Sequence, residues 1–262
     1  MHKVENNYIH PTAIIEEGAV ISQEVSIGAY AYIGSEVNIG SGCKIHHHAT
    51  VDGNTVLGKN NEVFPYAFVG GKTHDRKFKG GEPGLKIGDN NVFREYVTVH
   101  LATNDGDVTV IGNSNLFLTY SHVAHDCIIG SHVTMSSHAA LGGHVWVEDH
   151  ANIGGQIGIH QFCSVGRYCM VGFSSKVTQD IPPYMLVDGN PSEVKTFNKV
   201  GLERAGFTEE DMDLIKEVYQ ILYRRGLNRS QALEALAKHA QRNHSIVRHV
   251  IEFTEKSRRG MM

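Results

Sequence analysis

An apolar residue recurs at every sixth position of this chain, in one phase. The series runs Ile9, Ile15, Ile21, Ile27, Ile33, Ile39, Ile45, Val51, Leu57, Val63 and Val69. It lapses, resumes at Ile87, Phe93 and Val99, lapses again, and from Ile111 continues without a miss to Val177. A period of six fits neither an α-helix nor an isolated alternating strand. It fits a parallel β-helix, in which three hexads close one triangular coil and residues 18 apart stack. From residue 9 to about 188 this predicts ten coils and a prism roughly 45–50 Å tall. Such a prism encloses only a narrow aliphatic column, so chemistry is expected outside it, at loops or between subunits.

Glycine often follows the aliphatic residue, as at Gly28, Gly34, Gly40, Gly58, Gly130 and Gly166, and is expected at backbone bends that a Cβ would strain. Four places after each aliphatic comes a mostly small residue, among them Ala13, Ala31, Ala49, Ala67 and Ala139. Cys43, Cys127, Cys163 and Cys169 all occupy that slot, which reads them as small buried hydrophobes. With no C-x-x-C pair, a reducing cytoplasmic compartment is the easier fit.

Two segments interrupt the hexads. Residues 70–86 are charged and glycine-rich (GGKTHDRKFKGGEPGLK), and residues 101–110 read LATNDGDVTV. The series re-enters in phase after each, so each is expected to leave the prism and return to the same corner. Residues 1–189 thus form a β-helix domain with loop insertions at 70–86 and 101–110, and residues 190–262 a helical domain. In the latter the pattern predicts a short helix over 194–205, one over 209–225 capped by Thr208 with Asp211, one opened by Ser230 and running to 242, and one opened by Ser245.

The net charge of −4 argues against a nucleic-acid partner. It divides unevenly: residues 190–262 hold 13 Lys and Arg against 10 Asp and Glu, and the remainder 11 against 18. The basic tail is either an ordinary solvated helical surface or a docking surface for an acidic partner. No signal peptide and no run long enough to span a bilayer is evident, so a soluble chain without stable membrane insertion is expected.

Counting by whole coils selects among the 17 histidines. His144 falls above position 126 and His160 two coils above position 124, so His122, His125, His144 and His160 share one corner on three successive coils. His132, His138 and His150 project elsewhere. Asp126 follows His125, and a carboxylate orients an imidazole as a general base. Gly143 stacks on His125, and its bare N–H could polarise a carbonyl. Base, orienting acid and oxyanion donor are the parts for acyl transfer to a hydroxyl or amine. The rivals are a zinc site, since three histidines on a β-helix bind metal in γ-class carbonic anhydrases, and a corner merely decorated with polar residues.

Several strings carry a closer likeness: HPTAII at the start, HVAHDC at residues 122–127, HQFC at 160–163, QDIPPYMLVDGNP, Asn198, and GLERAGF at 201–207. With them the chain resembles, over essentially its whole length, the UDP-N-acetylglucosamine 3-O-acyltransferases that begin lipid A biosynthesis. The resemblance implies a left-handed parallel β-helix, an exception to the usual crossover rule, assembled as a homotrimer with sites between subunits. It implies transfer of a 3-hydroxyacyl chain from acyl carrier protein to a UDP-sugar, the phosphopantetheine thioester being co-substrate and no metal or other cofactor being needed. His125 matches the base, Asp126 its partner and Gly143 the backbone donor. His122, His144, His160 and Gln161 match substrate contacts, Asp75 and Lys77 loop contacts to sugar and donor, and Asn198 and Arg204 nucleotide contacts. Phe173 and Pro191 fall where the acyl chain ends. The basic tail fits the acidic carrier protein. The chain departs from the family at His74 (usually Gln), at His100-Leu101-Ala102-Thr103 (usually His-Arg-Gly-Thr), at Val200 and Ala205 near the nucleotide, and at Phe173 (Gly in many relatives). These departures keep a 3-amino acceptor sugar open as an alternative.

Overall fold

The computed structural model describes residues 7–262; residues 1–6 of the β-helix domain lie outside that description. The hexads form three parallel sheets that wrap one core. The first sheet begins at Tyr8–Ile9, the second at Ile14–Ile15 and the third at Val20–Ile21, most strands being two residues long. Strands stack at an offset of 18, as Ile27 on Ile45 and Val123 on Leu141. Each hexad aliphatic from Ile27 to Val177 is buried, and Phe93 stacks on Phe117 at 4.9 Å inside the coil. All four cysteines are free and buried in the same core.

The insertions change the offset. Leu57 pairs with Ile87, Val63 with Phe93 and Val69 with Val99, each 30 residues on. Ile87 pairs with Ile111, Phe93 with Phe117 and Val99 with Val123, each 24 on. One coil is therefore longer than 18 residues by two hexads and the next by one, which is why the phase survives. For the same reason the stretch from Ile9 to Val187 makes nine turns rather than the ten expected from a uniform 18. Both insertions leave between a strand of the second sheet (Phe68–Gly71, Thr98–His100) and one of the third (Gly84–Ile87, Val108–Ile111). Both therefore emerge from one corner, on adjacent coils.

The bends are not made where the glycines suggested. Gly28 and Gly40 have no left-handed backbone; a Cβ there would lie 2.6 Å from His47 N and 2.5 Å from Gly58 O of the next coil, so these glycines serve close approach of coil to coil. The left-handed bends fall two residues later, at Gly42 on a glycine but at most turns on non-glycine residues. At the corner between first and second sheets Tyr30, His48, Tyr66, Tyr96, Tyr120 and His138 have φ of 57–63°. Each such residue costs roughly 1–2 kcal/mol. Their rings pack on one another at 4.8–5.2 Å, and each pair returns about 0.5–1.5 kcal/mol, so the ladder offsets part of the strain. His132 and His150 belong to a second ladder with Tyr168, at 4.7 and 4.5 Å.

Past the prism, Met185–Asp188 closes the first sheet and Glu193–Phe197 folds back on it antiparallel. The helix predicted over 194–205 is thus a strand followed by the short helix α1, Lys199–Arg204. Helix α2, Glu209–Tyr223, has the capping box of Thr208 and Asp211. Helix α3, Arg229–Ala237, is capped by Asn228 rather than Ser230 and ends before 242. Helix α4, Ser245–Lys256, is capped by His244 rather than Ser245. Asn and His offered side-chain acceptors one or two residues earlier than the serines chosen from the pattern. Leu214, Val218 and Ile221 of α2 are buried with Val247 and Val250 of α4 in a second core. No helix of the described residues is long and apolar enough to cross a membrane.

Candidate active site

The corner between the second and third sheets carries both insertions and, on the coils above them, His125, His144 and His160. Asp126 takes the left-handed bend there, with φ of 60°, and its N–H donates to Thr109 Oγ1 at 2.8 Å. This conformation turns its carboxylate onto the preceding residue, and Oδ2 lies 2.7 Å from His125 Nδ1. The Asp126 side chain is only 8% exposed. Burial pushes its pKa up, but hydrogen bonds from His125 and from the Thr103 side chain and N–H, with His144 nearby, outweigh that and hold it below the ordinary carboxylate value. Asp126 therefore stays ionised.

Thr103, in the second insertion, is buried and touches both members of the pair: its N–H donates to Asp126 Oδ1 at 3.1 Å and its Oγ1 lies 3.0 Å from His125 Nδ1. Thr73, at the base of the first insertion, meets Thr103 Oγ1 at 2.9 Å. The two loops are thus tied to the dyad through two threonines. With Nδ1 engaged, the free nitrogen of His125 is Nε2, and it faces Gly143. A Cβ at Gly143 would stand 2.4 Å from His125 Cε1 and 2.6 Å from Nε2, so only glycine lets the ring lie there. The Gly143 N–H donates to no group among the described residues. At the corner between third and first sheets the equivalent N–H groups of Lys59, Asp89, Asn113 and Ser131 are taken by side chains of the coil above. An open donor beside an open imidazole nitrogen is the chemistry this corner presents.

His144 packs edge-on against His125 at 5.4 Å, its Nε2 3.6 Å from Asp126 Oδ2. One ligand atom each from His125, Asp126 and His144 lies within 4.8 Å of the others. The 2.7 Å between His125 Nδ1 and Asp126 Oδ2 is a proton's spacing; two ligands on one tetrahedral zinc sit about 3.3 Å apart. His122 lies one coil position away, its Nδ1 2.7 Å from Thr98 Oγ1, and burial, with His74 and His125 nearby, pulls its pKa down. Counting by 18 missed His100. It is 6% exposed, packs at 3.9 Å from His74 and 5.0 Å from His122, and is pushed down to about 4 by burial and then by His122, His74 and His125. Its Nδ1 has no hydrogen-bond partner among the described residues. The local offset is 24, and with that count position 100 falls beside 124.

The other expected residues are placed as follows. His160 and Gln161 sit exposed on the coil above, His160 Nδ1 being 3.1 Å from the Gln161 carbonyl, and neither bonds to the dyad. In the first insertion Asp75 caps its own loop, Oδ1 accepting from the N–H of exposed Lys77 at 2.9 Å. Asn198 is committed internally: it caps α1 through Gly201 N–H at 3.1 Å and donates to the Tyr168 carbonyl at 2.9 Å. It and Arg204 line a cleft of about 470 Å³ with His150 and Tyr168, at the corner between third and first sheets. Phe173, 64% exposed, and Pro191 lie at the last coil, Phe173 on the corner between first and second sheets. Within one chain, the dyad, the Arg204 cleft and Phe173 therefore occupy three different corners.

Comparison with known proteins bears on this arrangement. Residues 180–262 match the family profile described as Udp N-acetylglucosamine O-acyltransferase, Domain 2, and residues 18–53 match the bacterial transferase hexapeptide, six repeats. The acyl-[acyl-carrier-protein]–UDP-N-acetylglucosamine O-acyltransferase of Thermodesulfovibrio yellowstonii is 44% identical over 97% of this chain and 99% of its own. The protein of that name from Saccharophagus degradans is 43% identical over the same shares. The crystal structure of the UDP-N-acetylglucosamine acyltransferase from Francisella novicida superposes with a TM-score of 0.94 at 38% identity, covering 97% of this chain and 93% of the other. That from Moraxella catarrhalis gives 0.93 at 35%, covering 97% and 98%. At this identity over nearly the whole length of both partners, the chain belongs to the acyl-[acyl-carrier-protein]–UDP-N-acetylglucosamine O-acyltransferase family.

Proposed function

We propose that this protein transfers a 3-hydroxyacyl chain from acyl carrier protein to the glucosamine 3-hydroxyl of UDP-N-acetylglucosamine, the opening step of lipid A biosynthesis, with His125 as general base. The observation that carries the mechanism is the pairing of the free His125 Nε2 with the uncommitted Gly143 N–H at one open corner. Nε2 takes the proton of the 3-hydroxyl as its oxygen attacks the thioester carbonyl. The carbonyl oxygen gains negative charge and accepts from the Gly143 N–H. Asp126, ionised and 2.7 Å from Nδ1, holds the reactive tautomer and stabilises the imidazolium. Collapse of the tetrahedral adduct breaks the carbon–sulfur bond, and the imidazolium returns its proton to the departing thiolate. Atoms and protons balance with no cofactor; the thioester supplies the leaving group.

We further infer that the coil is left-handed and that the chain assembles as a homotrimer in the cytoplasm. What supports the trimer is the separation of dyad and Arg204 cleft by the full width of the third sheet, so that one bound nucleotide sugar reaches both only where two subunits meet. His122, His144, His160 and Gln161 then face the substrate, Asp75, Lys77 and His74 close over the sugar, and Asn198 seats the helix that presents Arg204 to the nucleotide. The basic tail receives the acidic carrier protein. Phe173, jutting from the last coil with Pro191 near it, limits chain length.

Purified protein assayed with carrier protein bearing a range of acyl chains, against 3-hydroxy and 3-amino acceptor sugars, should yield the ester, identified by mass spectrometry. His125→Ala should cut kcat by about 10²–10⁴-fold with an unchanged melting temperature. Absence of transfer, or full activity in the variant, would overturn the proposal. Phe173→Gly should shift preference to longer chains; an unaltered preference removes Phe173 from that role.

A further inference from the structure

Two threonines, one from each insertion, stand behind the dyad. Thr73 and Thr103 are only 8% and 3% exposed. The backbone that carries Thr103 is fixed. The Leu101 N–H donates to the Gly71 carbonyl at 2.8 Å and the Ala102 N–H to the Gly84 carbonyl at 3.1 Å. The second insertion thus leaves its coil pinned to both ends of the first, and the next N–H, of Thr103, meets Asp126 Oδ1 at 3.1 Å.

The hydroxyl groups make a chain whose direction follows from what each group can give. In the first insertion the Asp75 N–H donates to Thr73 Oγ1 at 3.1 Å. Thr73 Oγ1 lies 2.9 Å from Thr103 Oγ1, which lies 3.0 Å from His125 Nδ1. With Nε2 free, Nδ1 carries the ring hydrogen and gives it to Asp126 Oδ2 at 2.7 Å, so it accepts nothing from Thr103. A hydroxyl has one hydrogen to give. That of Thr103 goes to the Asp126 carboxylate, as one of the groups that outweigh burial and keep this acid ionised. That of Thr73 goes to Thr103 Oγ1. Every donor in the row points from the first insertion toward Asp126, and hydrogen bonds aligned in this way strengthen one another.

We propose that Thr73 and Thr103 are positioning residues of the transfer reaction, a hydroxyl relay through which the first insertion sets how tightly the His125–Asp126 pair holds its proton. The inference rests on the transferase reading above and deepens it: the loop placed there over the sugar also adjusts the base. The sign follows from the acceptor. A carboxylate that shares its charge with Thr103 stabilises an imidazolium less, so the relay keeps the pair free to take a proton. Without the relay Asp126 turns wholly to His125, and the pair stays protonated to higher pH. The other titratable groups that face the pair are His144 on the coil above, His122 on the same coil, and His100 with His74 at the insertions. Cys127 beside it stays a thiol, pushed up to about 12 by burial. A change at either threonine leaves all of these in place, so their influence is common to parent and variants.

Thr103→Val keeps the shape and the N–H and removes the hydroxyl. The acidic limb of its kcat/KM profile should lie about 0.5–1 pH unit above that of the parent, and Thr103→Ser should restore it. Thr73→Val should move the limb the same way by less. The double valine variant should move it no further than Thr103→Val alone, because Thr73 acts only through Thr103. The same order should appear without turnover in NMR of ring-labelled histidine, where the pair is followed through the resonance that His125→Gln removes. A limb that stays in place or falls, a serine that does not restore it, or effects that add in the double variant overturns the proposal. If Thr103→Val melts early, Thr73→Val and Thr73→Ser decide the matter by the same two criteria. Failure of the parent to transfer from any donor would instead sink the transferase reading, while the NMR titration would still decide the relay.

Discussion

Gly143 illustrates how much one absent carbon decides. A methyl group there would stand 2.4 Å from the His125 ring, closer than any tolerated contact, and the ring rather than the buried coil is free to yield. Turning it breaks the 2.7 Å contact to Asp126 and moves Nε2 away from the open N–H. Gly143→Ala should therefore lower kcat by at least about 100-fold while the melting temperature shifts little. Near-normal kcat would show that ring and glycine are not coupled as described. Thr103 is the counterpart on the other side, fixing both His125 and Asp126 from an insertion loop. His100 shows the limit of counting: its HLAT string marks a family position, but a fixed count of 18 does not bring it to the site, and only the 24-residue offset sets it against His74 and His122.

At the level of elements, the prism and the helical tail are joined by a few specific contacts. His249 of α4 meets Glu148 of the β-helix at 2.8 Å, and Asp180 accepts from Ser164, Ser257 and Arg259. Asp180→Ala leaves those donors without an acceptor in a buried place, a loss of roughly 2–4 kcal/mol. Denaturant unfolding should show that loss, and limited proteolysis should cut the tail first; an unchanged midpoint would mean that solvent replaces the carboxylate at no cost. The strand Glu193–Phe197 is not legible in the sequence, whose local pattern over 194–205 predicts a helix. Pairing with Met185–Asp188 overrides local propensity because the edge of the first sheet is there to receive it.

Across the whole molecule, the placement of dyad and Arg204 cleft on different corners has a direct consequence for assembly. If each site draws its base from one subunit and Arg204 from the next, co-expressed His125→Ala and Arg204→Ala chains complement each other. Random mixing should restore about a quarter of parental activity, although each variant alone is inactive. No recovery would place both groups of each site on one chain.

The hexad series by itself determined the coil, its core, the return of both insertions in phase, and the meeting of His125, Asp126 and Gly143, because between Ile111 and Val177 the offset is a constant 18 and counting is geometry. It overcounted the turns, since two of them are longer. It could not determine what the insertions bring. A coil lengthened by one or two hexads keeps its phase but changes which residues face each other, so His100, Thr73 and Thr103 reach the site only in the folded chain. The helical tail has no repeat to count, and its caps, its strand and the fastening of Ser257 and Arg259 to Asp180 follow from which donors and acceptors the folded chain leaves open. Where neighbours are set by a fixed period, the chain is its own map; where they are set by packing, only the packed molecule names them.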